Sequence, residues 1–198
     1  MLTFRSPPRR SGTSLLQQPA KQGRPTRRLN IERLEDRTTP AAGALDSSFG
    51  TGGIVQTNLS GHDRAQEVAI QPDGKLVVAG YVGGSSNWAV ARYNTNGSLD
   101  TGFGLNGWVQ TDLGGSTEQA RAIVIQSNGK IVVAGDTTAG GNGFNFALAR
   151  YNANGSLDTA FGNGGIVITD LGPEDDGLWD AALQADGRIV VAGLTRNM

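Results

Sequence analysis

The sequence predicts an all-β fold built from tandem four-stranded antiparallel units, and three observations support this prediction. Glycine is abundant, with 30 residues among 198, and it supplies the positive-φ conformations that tight turns between short strands require. One block of sequence recurs in register along the chain. Short apolar runs alternate with turn signals, and no stretch of the sequence has a convincing helical period.

The recurring block has three parts that keep the same order in each copy. They are Leu-Asp-x-x-Phe-Gly at 45–50, 99–104 and 157–162, Val-Val-Ala-Gly at 77–80, 132–135 and 190–193, and, in the first two copies, Ala-x-Ala-Arg-Tyr-Asn at 89–94 and 147–152. The spacing from Leu45 to Leu99 is 54 positions, and from Leu99 to Leu157 it is 58. The extra residues fall in two intervals only, Leu113–Gly129 and Gly135–Tyr151. Those intervals are therefore predicted to contain surface loops.

Each copy offers four strand candidates, which in the first copy are Ile54–Thr57, Ala65–Gln71, Leu76–Gly80 and Trp88–Tyr93. The Val-Val-Ala run is apolar throughout, which predicts a strand covered on both faces. The segment 72–75, Pro-Asp-Gly-Lys, has the signature of a hairpin turn. Four antiparallel strands per copy is the pattern of a propeller blade. The predicted fold is therefore β-propeller-like and incomplete, with two full copies plus a partial third.

These motifs resemble the delta-60 repeat. The resemblance rests on Leu-Asp-x-x-Phe-Gly, on Asp-Gly-Lys-x-Val-Val-Ala-Gly and on Phe-Ala-Leu-Ala-Arg-Tyr-Asn-x-x-Gly-Ser-Leu-Asp, and it covers residues 45–198. That family is a β-propeller-like repeat of bacterial proteins, often large and exported, with no established general activity. The resemblance therefore implies a fold and brings no catalytic residue with it.

The recurrence also sets the expected organisation of the chain. A basic tail precedes three repeats, of which the third is the shortest; the boundaries are 1–44, 45–98, 99–156 and 157–198. The third repeat lacks the Ala-x-Ala-Arg-Tyr-Asn segment, whereas closed propellers have about four to eight blades. Truncation is the favoured interpretation. Self-association with other chains through open blade edges, and an open array, are the alternatives.

Charge is divided unevenly between the tail and the repeats. Residues 1–40 hold nine Arg and Lys against three acidic residues, a net charge of +6, whereas residues 41–198 carry a net charge of −7. The acidic repeat region disfavours nucleic acid as a partner. The tail is rich in Pro, Ser, Gln and Arg and is expected to be disordered. The chain has no cysteine and no run of about 20 apolar residues, so no transmembrane segment is predicted.

A short motif at 32–40, Glu-Arg-Leu-Glu-Asp-Arg-Thr-Thr-Pro, resembles an export-type motif near the start of bacterial surface proteins. The resemblance implies a secreted or cell-surface location. The alternative is a charged amphipathic helix that ends at Pro40, and both interpretations can hold together. A cytoplasmic location stays open.

The segment 94–100, which recurs at 152–158, has oxygen donors at alternate positions around a glycine, as a calcium loop does. Arg92 and Arg150 stand where the first carboxylate ligand is expected, and no bidentate Glu follows. A turn in which Asn and Ser bind their own backbone explains the same residues. The turn is favoured over calcium, and no cofactor is predicted.

Three carboxylates hold equivalent places in the repeats and are the candidate ligand-facing positions: Asp46, Asp100 and Asp158. In a closed propeller they could form a ring that binds cations or sugars. A recurring turn also requires a recurring Asp, so a structural role is favoured. His62 is the only histidine and supports neither a catalytic triad nor a multi-histidine metal site. The acidic run at 174–176 is expected to be a solvated face.

The sequence thus predicts a non-catalytic exported or cell-surface repeat scaffold or binding module, with no catalytic residue assigned. Its ligand is unknown, and a glycan or a protein at the cell surface is the expected partner. The loops Tyr81–Asn87 and Asp136–Asn145, where the copies differ in length, form the expected binding surface. Two alternatives are a fragment of a propeller enzyme that acts on glycans, for which an acid and a base would have to come from different blades, and a truncated non-functional product.

Overall fold

The computed structural model describes residues 43–84, 87–140 and 143–196, and these residues form three antiparallel β-sheets without a helix. The strands are β1 (Asp63–Ile70), β2 (Leu76–Val82), β3 (Asn87–Tyr93), β4 (Trp108–Thr111), β5 (Glu118–Ile125), β6 (Ile131–Thr137), β7 (Asn145–Tyr151), β8 (Ile166–Thr169), β9 (Asp176–Leu183) and β10 (Ile189–Thr195). None of the described segments is a helix that could cross a membrane. The all-β prediction is confirmed; the basic tail and its motif at 32–40 lie outside the described residues.

The first sheet is β1-β2-β3-β4, the second is β5-β6-β7-β8, and the third is the pair β9-β10. Each four-stranded sheet takes its last strand from the sequence copy that follows, because β4 and β8 lie beyond the Leu-Asp motifs and pair with β3 and β7. The expected strand Ile54–Thr57 is wrong for the same reason. Its counterparts pair with the third strand of a preceding copy, and the described residues hold no such strand for it. Only a bridge between Ile54 and Thr51 forms there.

The sheets stack face to face, so each has a leading face toward the sheet before it and a trailing face toward the sheet after it. The main core lies between the trailing face of the first sheet and the leading face of the second. It contains buried residues from both sheets, namely Val77, Ala79, Trp88, Val90, Phe103, Leu113, Ala120, Ile131, Val133, Ala147, Ala149 and Tyr151. A smaller core joins the second sheet to the third through Ala122, Ala134, Phe146 and Leu178. Stacking is therefore what buries the apolar residues of the repeat.

The Val-Val-Ala-Gly strand shows the effect of stacking most clearly. Every residue of β6 is buried, because sheets cover both of its faces, as the sequence predicts. In β10 the same motif leaves Val190 46 % exposed. No sheet among residues 43–84, 87–140 and 143–196 packs on that trailing face.

A β-bulge interrupts the first strand of every sheet at the same place. The unpaired residues are Gln66, Arg121 and Trp179, each next to the partner of the motif glycine. The bulge brings the backbone of the first strand so close that a Cβ on Gly80 or Gly135 would overlap a carbonyl oxygen of that strand. Glycine is therefore required in the motif by close backbone approach.

Candidate functional site

The two ends of the stacked sheets differ in how strongly they repeat. The constant end carries the hairpin turns and the Leu-Asp motifs, which have the same length in each copy. The variable end carries the loops that precede β1, β5 and β9, together with the β2–β3 and β6–β7 connections. Both length differences fall at the variable end, in 112–117 and 138–144. Both length differences thus lie in loops at one end, as predicted. The expected binding-surface loops Tyr81–Asn87 and Asp136–Asn145 are shorter than predicted, because their first and last residues belong to strands.

The predicted ligand-facing positions Asp100 and Asp158 lie at the constant end. Their carboxylates are bound there by lysine and arginine side chains of the same chain. One carboxylate oxygen of Asp100 accepts hydrogen bonds from Lys75 Nζ and Arg92 Nε, both at 2.8 Å. Its other oxygen accepts from the backbone of Gly102 at 3.1 Å. Asp158 repeats the arrangement with Lys130 Nζ and Arg150 Nε, both at 2.6 Å.

These ion pairs hold the carboxylates in their charged form. The bond from Lys75 lowers the pKa of Asp100 below its ordinary value. The corresponding lysine bond lowers the pKa of Asp158. The Arg92 guanidinium also stacks 4.7 Å from the centre of the Phe103 ring. Each of these clusters of side chains joins a strand to the turn that follows it.

Asp46, the third predicted position, has a simpler environment. It is exposed and accepts hydrogen bonds from the backbone and hydroxyl of Ser48, at 2.9 and 2.6 Å. The hydroxyl bond is the main cause that lowers the pKa of the Asp46 carboxyl. All three Asp residues therefore cap the Leu-Asp turn. Ligand binding at these positions stays a prediction.

The segment 94–100 folds as the predicted turn. Asn96 Oδ1 accepts from both the backbone and the hydroxyl of Ser98, at 3.0 and 2.8 Å, and Asn94 donates to that hydroxyl at 3.0 Å. Asn152, Asn154 and Ser156 make the same bonds in the next copy. Within the described ranges no group of three or more His, Asp or Glu residues is arranged to hold a metal ion.

A second set of repeated carboxylates, at the variable end, was missed by the sequence analysis. Asp63, Glu118 and Asp176 each begin the first strand of a sheet and bind the loop before it. Their carboxylates accept from the backbone of Leu59 at 2.5 Å, Leu113 at 2.8 Å and Leu171 at 2.7 Å. The signal was present in the sequence, because an acidic residue follows each of these in-register leucines by four or five positions.

Two of these acids, Glu118 and Asp176, are fully buried. The expectation that 174–176 is a solvated face is therefore wrong for Asp176, whereas Glu174 and Asp175 are partly exposed. Asp176 has no exposed surface, because β9 packs it against the backbone of the second sheet, where its amide donates to Phe144 O at 2.7 Å. Glu118 is equally buried, and burial raises the pKa of its carboxyl. These carboxylates hold the variable-end loops against the sheets by accepting hydrogen bonds from the loop backbone.

The sheets differ most in the cross-strand pair that lies one step inside these acids. This pair is Arg64–Tyr81 in the first sheet, Gln119–Asp136 in the second and Gly177–Leu194 in the third. In the first sheet the guanidinium lies 6.0 Å from the Tyr81 ring centre. The predicted loop residue His62 is exposed beside this pair and helps to line a depression of about 350 Å³.

The second sheet places a buried carboxylate at this position. Asp136 accepts from Arg121 Nε at 2.5 Å and from the backbone of Leu178 in the third sheet, also at 2.5 Å. Burial raises the pKa of the Asp136 carboxyl, although the ion pair with Arg121 opposes the shift. Arg121 also donates to Gln119 Oε1 at 2.9 Å. The residue after Leu178 is Trp179, which occupies the bulge of the third sheet and is 61 % exposed.

Arg121 and Trp179 hold the same bulge position in neighbouring first strands. One continuous set of bonds runs from the guanidinium through Asp136 to the backbone next to Trp179. This arrangement could not be predicted from the sequence, because the bulge at Arg121 and Trp179 has no sequence signature of its own. We refer to Arg121, Asp136 and Trp179 as the variable-end site.

Comparison with known proteins supports the repeat and the fold. Two segments, residues 71–103 and 126–161, match the family model described as Domain of unknown function (DUF5122) beta-propeller. The segments cover corresponding elements of successive copies, namely β2–β3 and β6–β7 with the Leu-Asp motif that follows each. No curated protein and no solved structure matches the chain.

Proposed function

We propose that this chain is a non-catalytic, cell-surface or secreted repeat scaffold that binds a glycan at its variable end. One observation supports the proposal above the others. The charged residues that recur between copies are bonded within the fold, whereas the residues that differ gather at one end. A scaffold that repeats its architecture and varies its surface has this distribution. The resemblance of residues 32–40 to an export-type motif supports the location.

The Asp136 carboxylate joins the second sheet to the third through the backbone of Leu178, whereas its ion pair with Arg121 has no counterpart in the first sheet. Burying a carboxylate costs free energy that its partner repays only in part. The first sheet places Tyr81 at the same register and packs on the second sheet without such a pair. The pair does, however, orient Arg121, whose side chain is 34 % exposed. A fixed and partly exposed guanidinium is a preorganised hydrogen-bond donor for a ligand.

Trp179 supplies the apolar part of the site. It is the one tryptophan among the large exposed apolar side chains of the described residues. An indole ring offers a broad flat face and a polar N–H. Sugar rings present C–H faces and hydroxyl groups, which match the indole and the guanidinium respectively.

A glycan array probed with the full chain and with two variants, Arg121→Ala and Trp179→Ala, tests the proposal. We expect at least one glycan class to bind, with affinity reduced about 10-fold or more in either variant, because each loses a contact worth about 1.4 kcal/mol or more. Arg188→Ala and Leu105→Ala are the matched controls, because both side chains are exposed at the constant end. They should bind as the parent chain does.

Two results would contradict glycan binding at the variable-end site. If no glycan binds, or if the constant-end controls lose affinity as much as the variable-end variants do, the proposal is wrong. The bound glycans are also incubated with the chain and assayed for new reducing ends. Turnover would replace the scaffold by the alternative in which the chain acts on glycans as part of a propeller enzyme.

A further inference from the structure

The leading face of the first sheet is half of an interface that the chain already builds internally. Its apolar residues correspond in register to those on the leading face of the second sheet: Ala65, Val68, Leu76, Val78 and Tyr93 to Ala120, Ile123, Ile131, Val133 and Tyr151. On the second sheet this face is covered by the first. On the first sheet Val68 is 54 % exposed, and Ile70 beside it is 71 % exposed.

This face contains a preformed apolar groove of about 390 Å³, which we call the leading groove. One wall is the segment with Phe49, Val55 and Thr57, and the floor includes Val68 and Val78. This wall is the counterpart of β4, the strand of the first sheet whose Thr111 bonds Tyr151 of the second sheet. It is held in the same way, since the Tyr93 hydroxyl donates to Thr57 Oγ1 at 2.9 Å.

The internal interface shows which surface fits such a groove. Between the first and second sheets, Val77 and Ala79 on the trailing face of β2 enter the shared core. The corresponding residues of the third sheet are Val190 and Ala192, which are exposed on β10. Among residues 43–84, 87–140 and 143–196 nothing packs on them. The described residues therefore leave the leading groove uncovered, and they also leave uncovered a trailing face of the kind that fills such a groove at the internal interface.

We propose that the leading groove of one chain binds the trailing face of the third sheet in a second copy. Burial of exposed valine and isoleucine side chains drives this association. The two surfaces are different, so the contact is heterologous and the copies associate head to tail. The leading groove lies on the first sheet, whereas Arg121 and Asp136 of the variable-end site lie on the second.

Cysteine cross-linking tests the pairing directly, because the chain has no cysteine of its own. Val68→Cys and Val190→Cys are prepared as separate full-length proteins and treated with a bifunctional maleimide, alone and mixed. We expect a covalent dimer in the mixture and little in either protein alone. Absence of the mixed dimer overturns the proposal, as does an equal yield from Val68→Cys alone, since that would indicate a symmetric contact.

Sedimentation at increasing protein concentration provides the second test. The parent chain should associate, whereas Val68→Asp should stay monomeric, because a carboxylate in the groove would have to be desolvated. Leu105→Asp, which places the same charge on an exposed side chain at the constant end, is the control and should associate. A parent chain that stays monomeric, or a Val68→Asp variant that still associates, overturns the proposal. Tryptophan emission verifies folding, and Val68→Asp should still bind glycan, because Val68 lies on the first sheet.

Discussion

A side chain at Gly135 would overlap the carbonyl oxygen of Gln119 on the neighbouring strand. The overlap follows from the bulge at Arg121, which displaces the backbone of β5 toward β6. The glycine that ends the Val-Val-Ala-Gly motif is thus fixed by the same feature that frees Arg121 for the variable-end site. The bulge at Arg121 therefore affects both the glycine that recurs in every copy and a side chain of the variable-end site.

Gly135→Ala should therefore be strongly destabilising. We expect the free energy of unfolding to fall by about 2–4 kcal/mol, because either the bulge or the β5–β6 ladder has to shift. Urea denaturation followed by tryptophan emission measures the change. Gly84→Ala is the matched control, since a Cβ there meets nothing within 4 Å, and its unfolding free energy should change by less than about 0.5 kcal/mol. Equal effects would refute the role assigned to the bulge.

The buried hydroxyl pair Thr111–Tyr151, at 2.7 Å, should contribute measurably to the contact between the first two sheets. Thr111→Val should cost about 1–2 kcal/mol, because it leaves the fully buried Tyr151 hydroxyl without a partner. The double variant Thr111→Val, Tyr151→Phe should lose less unfolding free energy than the two single variants lose in sum. A double-mutant cycle by urea denaturation measures this difference. Strict additivity would show that the two hydroxyls are not coupled.

Acid stability should depend on Asp100. Its pKa in the folded chain lies below the ordinary value of 3.8, so the ionised group stabilises the fold at pH values above that figure. This stabilisation is lost as the pH falls through the lower folded-state pKa. Asp100→Asn should thus lower the unfolding free energy by about 1–2 kcal/mol at neutral pH, where Lys75 and Arg92 lose their anion. The difference from the parent chain should shrink below about pH 4.

Denaturation at pH 7 and pH 3 measures this narrowing of the difference. Asp186→Asn is the control, because its ion pair with Arg188 at 3.2 Å is exposed to solvent and should matter little. A difference for Asp100→Asn that is the same at both pH values would mean that the carboxylate charge is not what stabilises the turn.

Asp136 should affect the pH dependence of stability in the opposite direction to Asp100. Burial raises the pKa of its carboxyl, so the ionised form is the costly one, and the fold gains stability as the pH falls through that raised value. Asp136→Asn should remove this pH dependence and keep an acceptor for the backbone of Leu178. Because Arg121 loses its charged partner, glycan affinity should fall severalfold while the protein stays folded. Unchanged glycan affinity would show that Asp136 does not orient Arg121 for glycan binding.

The sequence was sufficient to predict the parts of the fold that recur. The Asp-Gly hairpin turn, the Val-Val-Ala strand and the loops of unequal length all lie where local chemistry and comparison of the copies place them. These features are decided within a few residues of chain or by pairing of adjacent strands, so their signals are local.

The features that were not predicted depend on contacts between copies. Ile54–Thr57 has the pattern of a strand but lacks its partner strand in the described residues. Asp176 looks like part of a solvated acidic run, yet stacking of the third sheet buries it. The bulge at Arg121 becomes visible only once β5 and β6 are paired. Periodicity in one strand cannot report any of these relationships.

The central claim is that identical sequence positions differ in exposure because sheets stack leading face on trailing face. Cysteine substitutions at Val77, Val132 and Val190, the same position in the three copies, test it by their rates of reaction with a thiol reagent in dilute native solution. Val77 and Val132 have no exposed surface, and Val190 is 46 % exposed. We predict that Val190→Cys reacts quickly while the other two react only on unfolding. Similar rates at all three positions would contradict the stacked arrangement.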